Sequence, residues 1–141
     1  MTYKMLVVDD SLPMRAIIIR TIKASGFQDT EFLQAGNGDE ALKVLGNEWL
    51  DLVITDYNMP DMNGMELIQE MKQDDILKAI PVLVVTTEGS RQKVEEFIQE
   101  GAAGYVKKPF TPETIRFELT KILGDPENEG SSENGDDDLD F

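Results

Sequence analysis

Three short runs, Met5-Leu6-Val7-Val8, Leu52-Val53-Ile54-Thr55 and Val82-Leu83-Val84-Val85, are apolar or β-branched throughout and show no alternation of apolar with polar residues. A strand exposed on one face alternates with a period of two; a strand without alternation has both faces covered. Between these runs the period changes. Met14, Ile17, Ile18, Thr21 and Ile22 share one helical face ended by Gly26, and Pro13 suits that helix's first turn, where its missing N–H costs nothing. Residues 39–45 read as a second helix closed by Gly46. Leu67, Ile68 and Met71 stripe a third, after the turn residues Pro60-Asp61-Met62-Asn63-Gly64. Ser90 caps a fourth, which carries Val94, Phe97 and Ile98 inward and stops at Gly101. Thr111 as N-cap and Pro112 at the first helical position open a fifth, with Ile115, Leu119 and Ile122 inward. Weaker strands at 30–33 and 103–106 complete the pattern, and Pro81 stands at a strand start that tolerates proline. Strict βα alternation with fully buried strands predicts an α/β fold: a doubly wound, five-stranded parallel sheet wrapped by five helices.

Polar residues stand where these runs stop. Asp9 and Asp10 follow the first run and Asp56 the second. In a parallel sheet such stops lie along one edge, so carboxylates distant in sequence can converge there. Clustered carboxylates repel one another and call for a divalent cation or a bound proton. Thr86 after the third run and Lys108 after Tyr105-Val106-Lys107 place a hydroxyl and an ammonium at the same edge. A hard metal with a hydroxyl and a cation beside it is a phosphoryl-transfer site in outline. Each residue also has an ordinary alternative. Asp9, Asp10 or Ser11 could cap the next helix, Thr86 could be a β-branched strand end, and Tyr105 could be an edge aromatic.

Composition narrows the classes. The 141 residues fit one domain, assigned to 1–124, with an acidic appendage at 125–141. That appendage holds eight acids and no bases and has the make-up of a disordered segment. The net charge of −15 argues against nucleic acid. With no cysteine, thiolate chemistry is excluded; with no histidine, the chain cannot be a histidine phosphodonor and in phosphotransfer would receive. No run approaches the ~20 apolar residues of a membrane span, and no signal-peptide pattern opens the chain, so a cytoplasmic location with no membrane contact is expected.

Asp9-Asp10-Ser11, Asp56-Tyr57-Asn58-Met59-Pro60 with Gly64, Thr86 and Lys107-Lys108-Pro109-Phe110 together resemble the receiver domains of two-component response regulators. The nearest resemblance is to single-domain chemotaxis regulators of the CheY type, over roughly residues 4–123. The resemblance implies strand order 2-1-3-4-5, an order known for CheY and for flavodoxin and not derivable from periodicity. It implies that Asp56 is the phosphoacceptor, that Asp10 and Asp56 bind Mg²⁺ directly with the Asn58 backbone carbonyl, and that Asp9 acts through water. Lys108 would pair with the phosphoryl oxygens and Thr86 would donate its hydroxyl to them. Tyr105 would be a switch that turns inward as Thr86 moves. Asn58 and Glu88 would tune dephosphorylation, and Lys108–Pro109 would be cis.

The implied partners are a histidine kinase of the CheA type and a flagellar motor switch protein or a phosphatase, met by a monomer that is a signalling switch and not an enzyme. Lys107 and Glu118 depart from the motor-binding pattern and are expected on the output surface. A phosphate sink or a relay intermediate is the rival within the class; the residues after 124 are too few and too acidic for a DNA-binding effector. An aspartate-nucleophile phosphatase of the haloacid dehalogenase type would need an Asp-x-Asp loop, where this chain has Asp9-Asp10. A flavin module would need a hydroxyl- and glycine-rich first loop. The tail residues Asp136-Asp137-Asp138-Leu139-Asp140-Phe141 are either solvating or a ligand for the chain's own output face or for another protein.

Overall fold

The computed structural model describes residues 2–125; Met1 and residues 126–141, and with them most of the expected acidic tail, lie outside the described residues. Five strands alternate with five helices: β1 Tyr3–Val8, α1 Leu12–Ala24, β2 Thr30–Ala35, α2 Gly38–Asn47, β3 Leu52–Asp56, α3 Gly64–Lys72, β4 Val82–Thr86, α4 Arg91–Gln99, β5 Gly104–Lys107 and α5 Pro112–Leu123. A single 3-10 turn, Leu77–Ala79, precedes β4. All strand pairs are parallel and the order is β2-β1-β3-β4-β5. The expected fold class and strand order therefore stand.

The unalternating runs do cover both faces. Leu6, Val8, Val53, Val82 and Val84 pack with Ala41, Leu45, Leu67, Ile68, Met71 and Phe97 in the layer under α2, α3 and α4. Met5, Val7, Leu52, Ile54, Leu83, Val85 and Val106 pack with Ile18, Ile22, Ile115 and Leu119 under α1 and α5. At roughly 1.5–3 kcal/mol per fully buried aliphatic side chain, these two layers are the main force holding the sheet and helices together.

Capping follows the sequence at three helices. Ser11, Ser90 and Thr111 each accept a hydrogen bond from a backbone N–H three residues on. Ser11, rather than either acid, caps α1, which leaves Asp9 and Asp10 free for other work. Gly26 and Gly101, the expected stops, follow the ends of α1 and α4 at φ of 111° and 113°.

Four local expectations are corrected. Helix α2 runs through Gly46 to Asn47; an internal glycine costs only about 1 kcal/mol, which the buried Ala41 and Leu45 outweigh. Ile17 and Ile98 are exposed, because α1 and α4 each bury a stripe centred on Ile18 and Ile22 or on Phe97. Strands β1, β2 and β5 reach Tyr3, Ala35 and Lys107, as backbone pairing extends past the apolar run. Glu118 is buried instead of lying on a surface: its Oε1 would stand 2.6 Å from a Cβ built on Gly104, so its acid covers that glycine.

Candidate functional site

The strand order reverses between β1 and β3, and open α/β sheets form their crevice outside the carboxyl ends of the strands at that point. Asp9 and Asp10 follow β1 directly and Asp56 ends β3. Backbone bonds hold the surrounding loops to the sheet. Asp9 N–H donates to the Ala35 carbonyl at 3.1 Å, Tyr57 N–H to the Val85 carbonyl at 3.0 Å, and Lys108 N–H to the Thr86 carbonyl at 2.7 Å. A closer constraint comes from Gly64, the first residue of α3. A Cβ there would stand 2.7 Å from the Asp56 carbonyl oxygen, so only glycine lets α3 approach the end of β3 this closely.

The three acids converge: one carboxylate oxygen from each of Asp9, Asp10 and Asp56 lies within 4.8 Å of the others. Asp9 is 2 % exposed and Asp56 7 %, while Asp10 faces solvent. Lys108, in the loop after β5, donates from Nζ to Asp56 Oδ1 at 3.1 Å and stands 3.9 Å from Asp9 Oδ2. Lys108–Pro109 is cis, as the resemblance implied.

Asp9 is the most constrained of the three acids. Its Oδ1 accepts the Ser11 N–H at 2.8 Å, but its Oδ2 is buried with no hydrogen-bond partner among the described residues. Burial raises its pKa above the ordinary carboxylate value, with the Asp56 and Asp10 charges adding to the rise. The Ser11 N–H and the Lys108 ammonium oppose it. An orphaned carboxylate oxygen beside two more carboxylates, in an all-oxygen donor set, fits a hard divalent cation such as Mg²⁺.

The remaining expected residues lie around this centre. Thr86 ends β4, is fully buried, and accepts the Glu88 N–H on Oγ1 at 2.9 Å, which leaves its own hydroxyl hydrogen available to donate. Asn58 and Glu88 are exposed on the loops after β3 and β4. Tyr105 is half-buried and packs on the α2–α3–α4 layer. Strand alternation puts Thr86 on that same face, in line with Val82 and Val84. Lys107 is exposed and its stem crosses Gly89.

Sequence reasoning missed two supports. Arg15 donates from one guanidinium nitrogen to the Asp9 carbonyl at 2.6 Å and from Nε to Gln34 at 2.8 Å, tying the Asp9 loop to β2. Tyr57, the residue after Asp56, lies against α4: its ring centroid is 5.3 Å from that of Phe97, and Lys93 Nζ stands 5.1 Å from it. Neither carried a sequence signal, since a solitary arginine on α1 and an aromatic in a turn have many ordinary roles.

Comparison with known proteins agrees with this arrangement. A family model described as the response regulator receiver domain matches residues 5–120. The chain is 40 % identical to a chemotaxis protein CheY homolog of Campylobacter jejuni over 131 residues, covering 92 % of this chain and 99 % of that one. It is 41 % identical to chemotaxis protein CheY1 of Helicobacter pylori over 122 residues, 86 % of this chain and 97 % of the relative. The high-resolution structure of the chemotaxis response regulator CheY4 of Vibrio cholerae superposes with a TM-score of 0.78 at 35 % identity, over 87 % of this chain and all of that one. With its acids, hydroxyl and ammonium gathered at the carboxyl edge of a 2-1-3-4-5 sheet, the chain belongs to the response regulator receiver family.

Proposed function

We propose that this chain is a stand-alone response regulator that takes a phosphoryl group from a phosphohistidine onto Asp56 and thereby changes a protein-binding face. The observation that carries the reading is the convergence of Asp9, Asp10 and Asp56 within 4.8 Å, with the Lys108 ammonium 3.1 Å from Asp56. A carboxylate in such company is held in place for attack, and the charge that arrives has a cation waiting for it. An Asp56 carboxylate oxygen bonds to phosphorus while the phosphorus–nitrogen bond breaks, and the electron pair leaves with the donor's imidazole. Asp10, Asp56 and the Asn58 carbonyl, with Asp9 acting through water, would hold a Mg²⁺ ion, which would supply neutralisation of the phosphoryl oxygens.

Lys108 then keeps its charge on the new group. The Thr86 hydroxyl donates to a phosphoryl oxygen, and Tyr105, on the same sheet face, turns into the space that Thr86 leaves. This is a two-state equilibrium biased by one charge-assisted contact. Asn58 and Glu88, exposed beside the site, set the access of hydrolytic water and so the lifetime of the phosphoryl group.

The kinase is a CheA-type histidine kinase and the setting is chemotaxis, a reading supported by relatives named as chemotaxis proteins. A flagellar motor switch protein or a phosphatase is the matching output partner. Lys107 and Glu118 remain departures from the motor-binding pattern, with the Glu118 acid packed against Gly104 and 3.4 Å from the Lys121 ammonium. The chain works as a cytoplasmic monomer.

Incubation with acetyl phosphate and Mg²⁺, read by intact mass, tests this. The parent gains one labile phosphoryl adduct and Asp56→Asn gains none. An adduct of equal yield on the variant would place the acceptor elsewhere, and steady turnover of phosphate monoesters would favour the phosphatase.

A further inference from the structure

Asp9 is engaged at nearly every polar group it has. Its N–H donates to the Ala35 carbonyl at 3.1 Å, its Oδ1 accepts the Ser11 N–H at 2.8 Å, and its backbone carbonyl accepts from Arg15 Nη1 at 2.6 Å. Only Oδ2 is left over, and it faces the Lys108 ammonium at 3.9 Å. The first two bonds come from backbone and follow from the end of β1 and the turn into α1. The third comes from a side chain to which the phosphoryl-transfer chemistry gives no part.

The Asp9 carbonyl belongs to the peptide that joins Asp9 to Asp10. A peptide is planar, so a bond that fixes its carbonyl also fixes the direction in which Asp10 leaves the strand. Asp10 faces solvent and has no burial to hold it, unlike Asp9 and Asp56. Arg15 is itself held at both ends. Its own N–H donates to the Ser11 carbonyl at 3.0 Å, one turn into α1, and its Nε donates to Gln34 Oε1 on β2 at 2.8 Å. A guanidinium is a rigid planar fork, so the Gln34 bond sets the plane from which Nη1 reaches the Asp9 carbonyl. Charge and position here act in opposite directions. A cation beside a carboxylate cluster repels an incoming divalent ion, so by charge alone Arg15 would weaken Mg²⁺ binding. Arg15 is only half-buried, and water and salt screen that repulsion. Its hydrogen bond is not screened in this way, and partners that orient metal ligands are worth about 10- to 100-fold in affinity. Position therefore outweighs charge.

We propose that Arg15 is a positioning residue for the cation site: through the Asp9 carbonyl it presents the Asp9 and Asp10 carboxylates to a divalent ion. The inference rests on the reading of Asp9, Asp10 and Asp56 as a Mg²⁺ site and adds to it a residue that touches neither the ion nor the phosphoryl group.

The test is a MgCl₂ titration of the full chain in about 0.15 M salt, where the Debye length is about 8 Å, followed by NMR through the amide shifts of the loops after β1 and β3. Arg15→Met keeps the stem and loses the donors; it should bind Mg²⁺ about tenfold more weakly than the parent. Arg15→Lys keeps one donor and should recover part of that loss. Gln34→Ala, at an exposed position outside the core, removes the outer anchor alone and should give a smaller loss of the same sign. In acetyl phosphate labelling, the Mg²⁺ concentration for half-maximal rate rises with the dissociation constant while the rate at saturating Mg²⁺ changes little. Urea unfolding in EDTA separates a purely structural role: lower stability in Arg15→Met with Mg²⁺ affinity unchanged overturns the proposal. So does tighter binding by Arg15→Met, the sign that charge alone would give. A parent that binds no Mg²⁺ overturns the cation-site reading itself, whereas a parent that binds and variants that match it overturn only the role of Arg15.

Discussion

Replacing Asp9 with asparagine should make the metal-free fold more stable, although it removes a buried charge from the centre of the site. Asp9 is 2 % exposed, shares a 4.8 Å cluster with Asp10 and Asp56, and faces one cation, Lys108, at 3.9 Å. At an effective dielectric near 20, each like-charge contact at this range costs about 3 kcal/mol, and the Lys108 attraction returns about as much. The substitution deletes two repulsions and one attraction, a net of about 3 kcal/mol that falls to about 1–2 kcal/mol once water screens the exposed Asp10. Asparagine keeps an oxygen for the Ser11 N–H and brings an NH₂ where Oδ2 has no partner. Burial already pushes the Asp9 carboxyl toward its neutral form, and the amide imitates that form.

Urea unfolding in EDTA at neutral pH measures the gain, and the same titration with Mg²⁺ added measures what it costs. A ligand that binds only the folded state at a hundred times its dissociation constant adds about 2.7 kcal/mol. The parent should show a stabilisation of that kind and Asp9→Asn much less, so the order of stability reverses between the two buffers. A variant less stable than the parent in EDTA would mean that the cluster is not strained by its own charge. Equal Mg²⁺ stabilisation of both proteins would remove Asp9 from the cation's surroundings.

Two further outcomes are expected. Gly64→Ala puts a methyl 2.7 Å from the Asp56 carbonyl oxygen, so the end of β3 must shift; denaturation should show a loss of about 1–3 kcal/mol, and acetyl phosphate should label Asp56 more slowly, whereas unchanged rate and stability would show that α3 can slide. Asp74 accepts the Ile76 and Leu77 N–H groups, which holds its pKa below the ordinary value. Its stabilising effect is therefore present above the unfolded-state pKa of about 3.9 and fades as pH falls through the folded value. Asp74→Ala should melt lower than the parent at neutral pH, with the gap narrowing in acid; a gap independent of pH would show that the carboxylate's charge plays no part.

Legibility divides along a physical line. The positions of Asp9, Asp56, Thr86 and Lys108 could be read because strand ends are fixed by where apolar runs stop, and parallel pairing carries every such stop to one edge. Ser90 and Thr111 were readable too, since a cap depends on its immediate sequence, whereas Asp9, Asp10 and Ser11 all compete for the α1 cap and only the coordinates choose Ser11. What failed depended on width. Helical spacing marks a face but not how much of it a neighbour covers, so Ile17 and Ile98 looked internal and are exposed, whereas Glu118 looked external and is buried.

That failure bears on the function, because the residues at issue differ in kind. An acid at the end of a strand meets its partners through backbone register, which side-chain changes elsewhere hardly disturb. Glu118 meets Gly104 only because α5 crosses β5 where a missing Cβ leaves room, a fact of tertiary packing that no local pattern encodes. Tyr57 is the intermediate case. Its place next to Asp56 is set by sequence, but its contact with Phe97 and Lys93 depends on how α4 docks. The acid cluster of a receiver thus resides in register and its surfaces in packing, so a chain can announce its family while leaving its faces to be learned from coordinates.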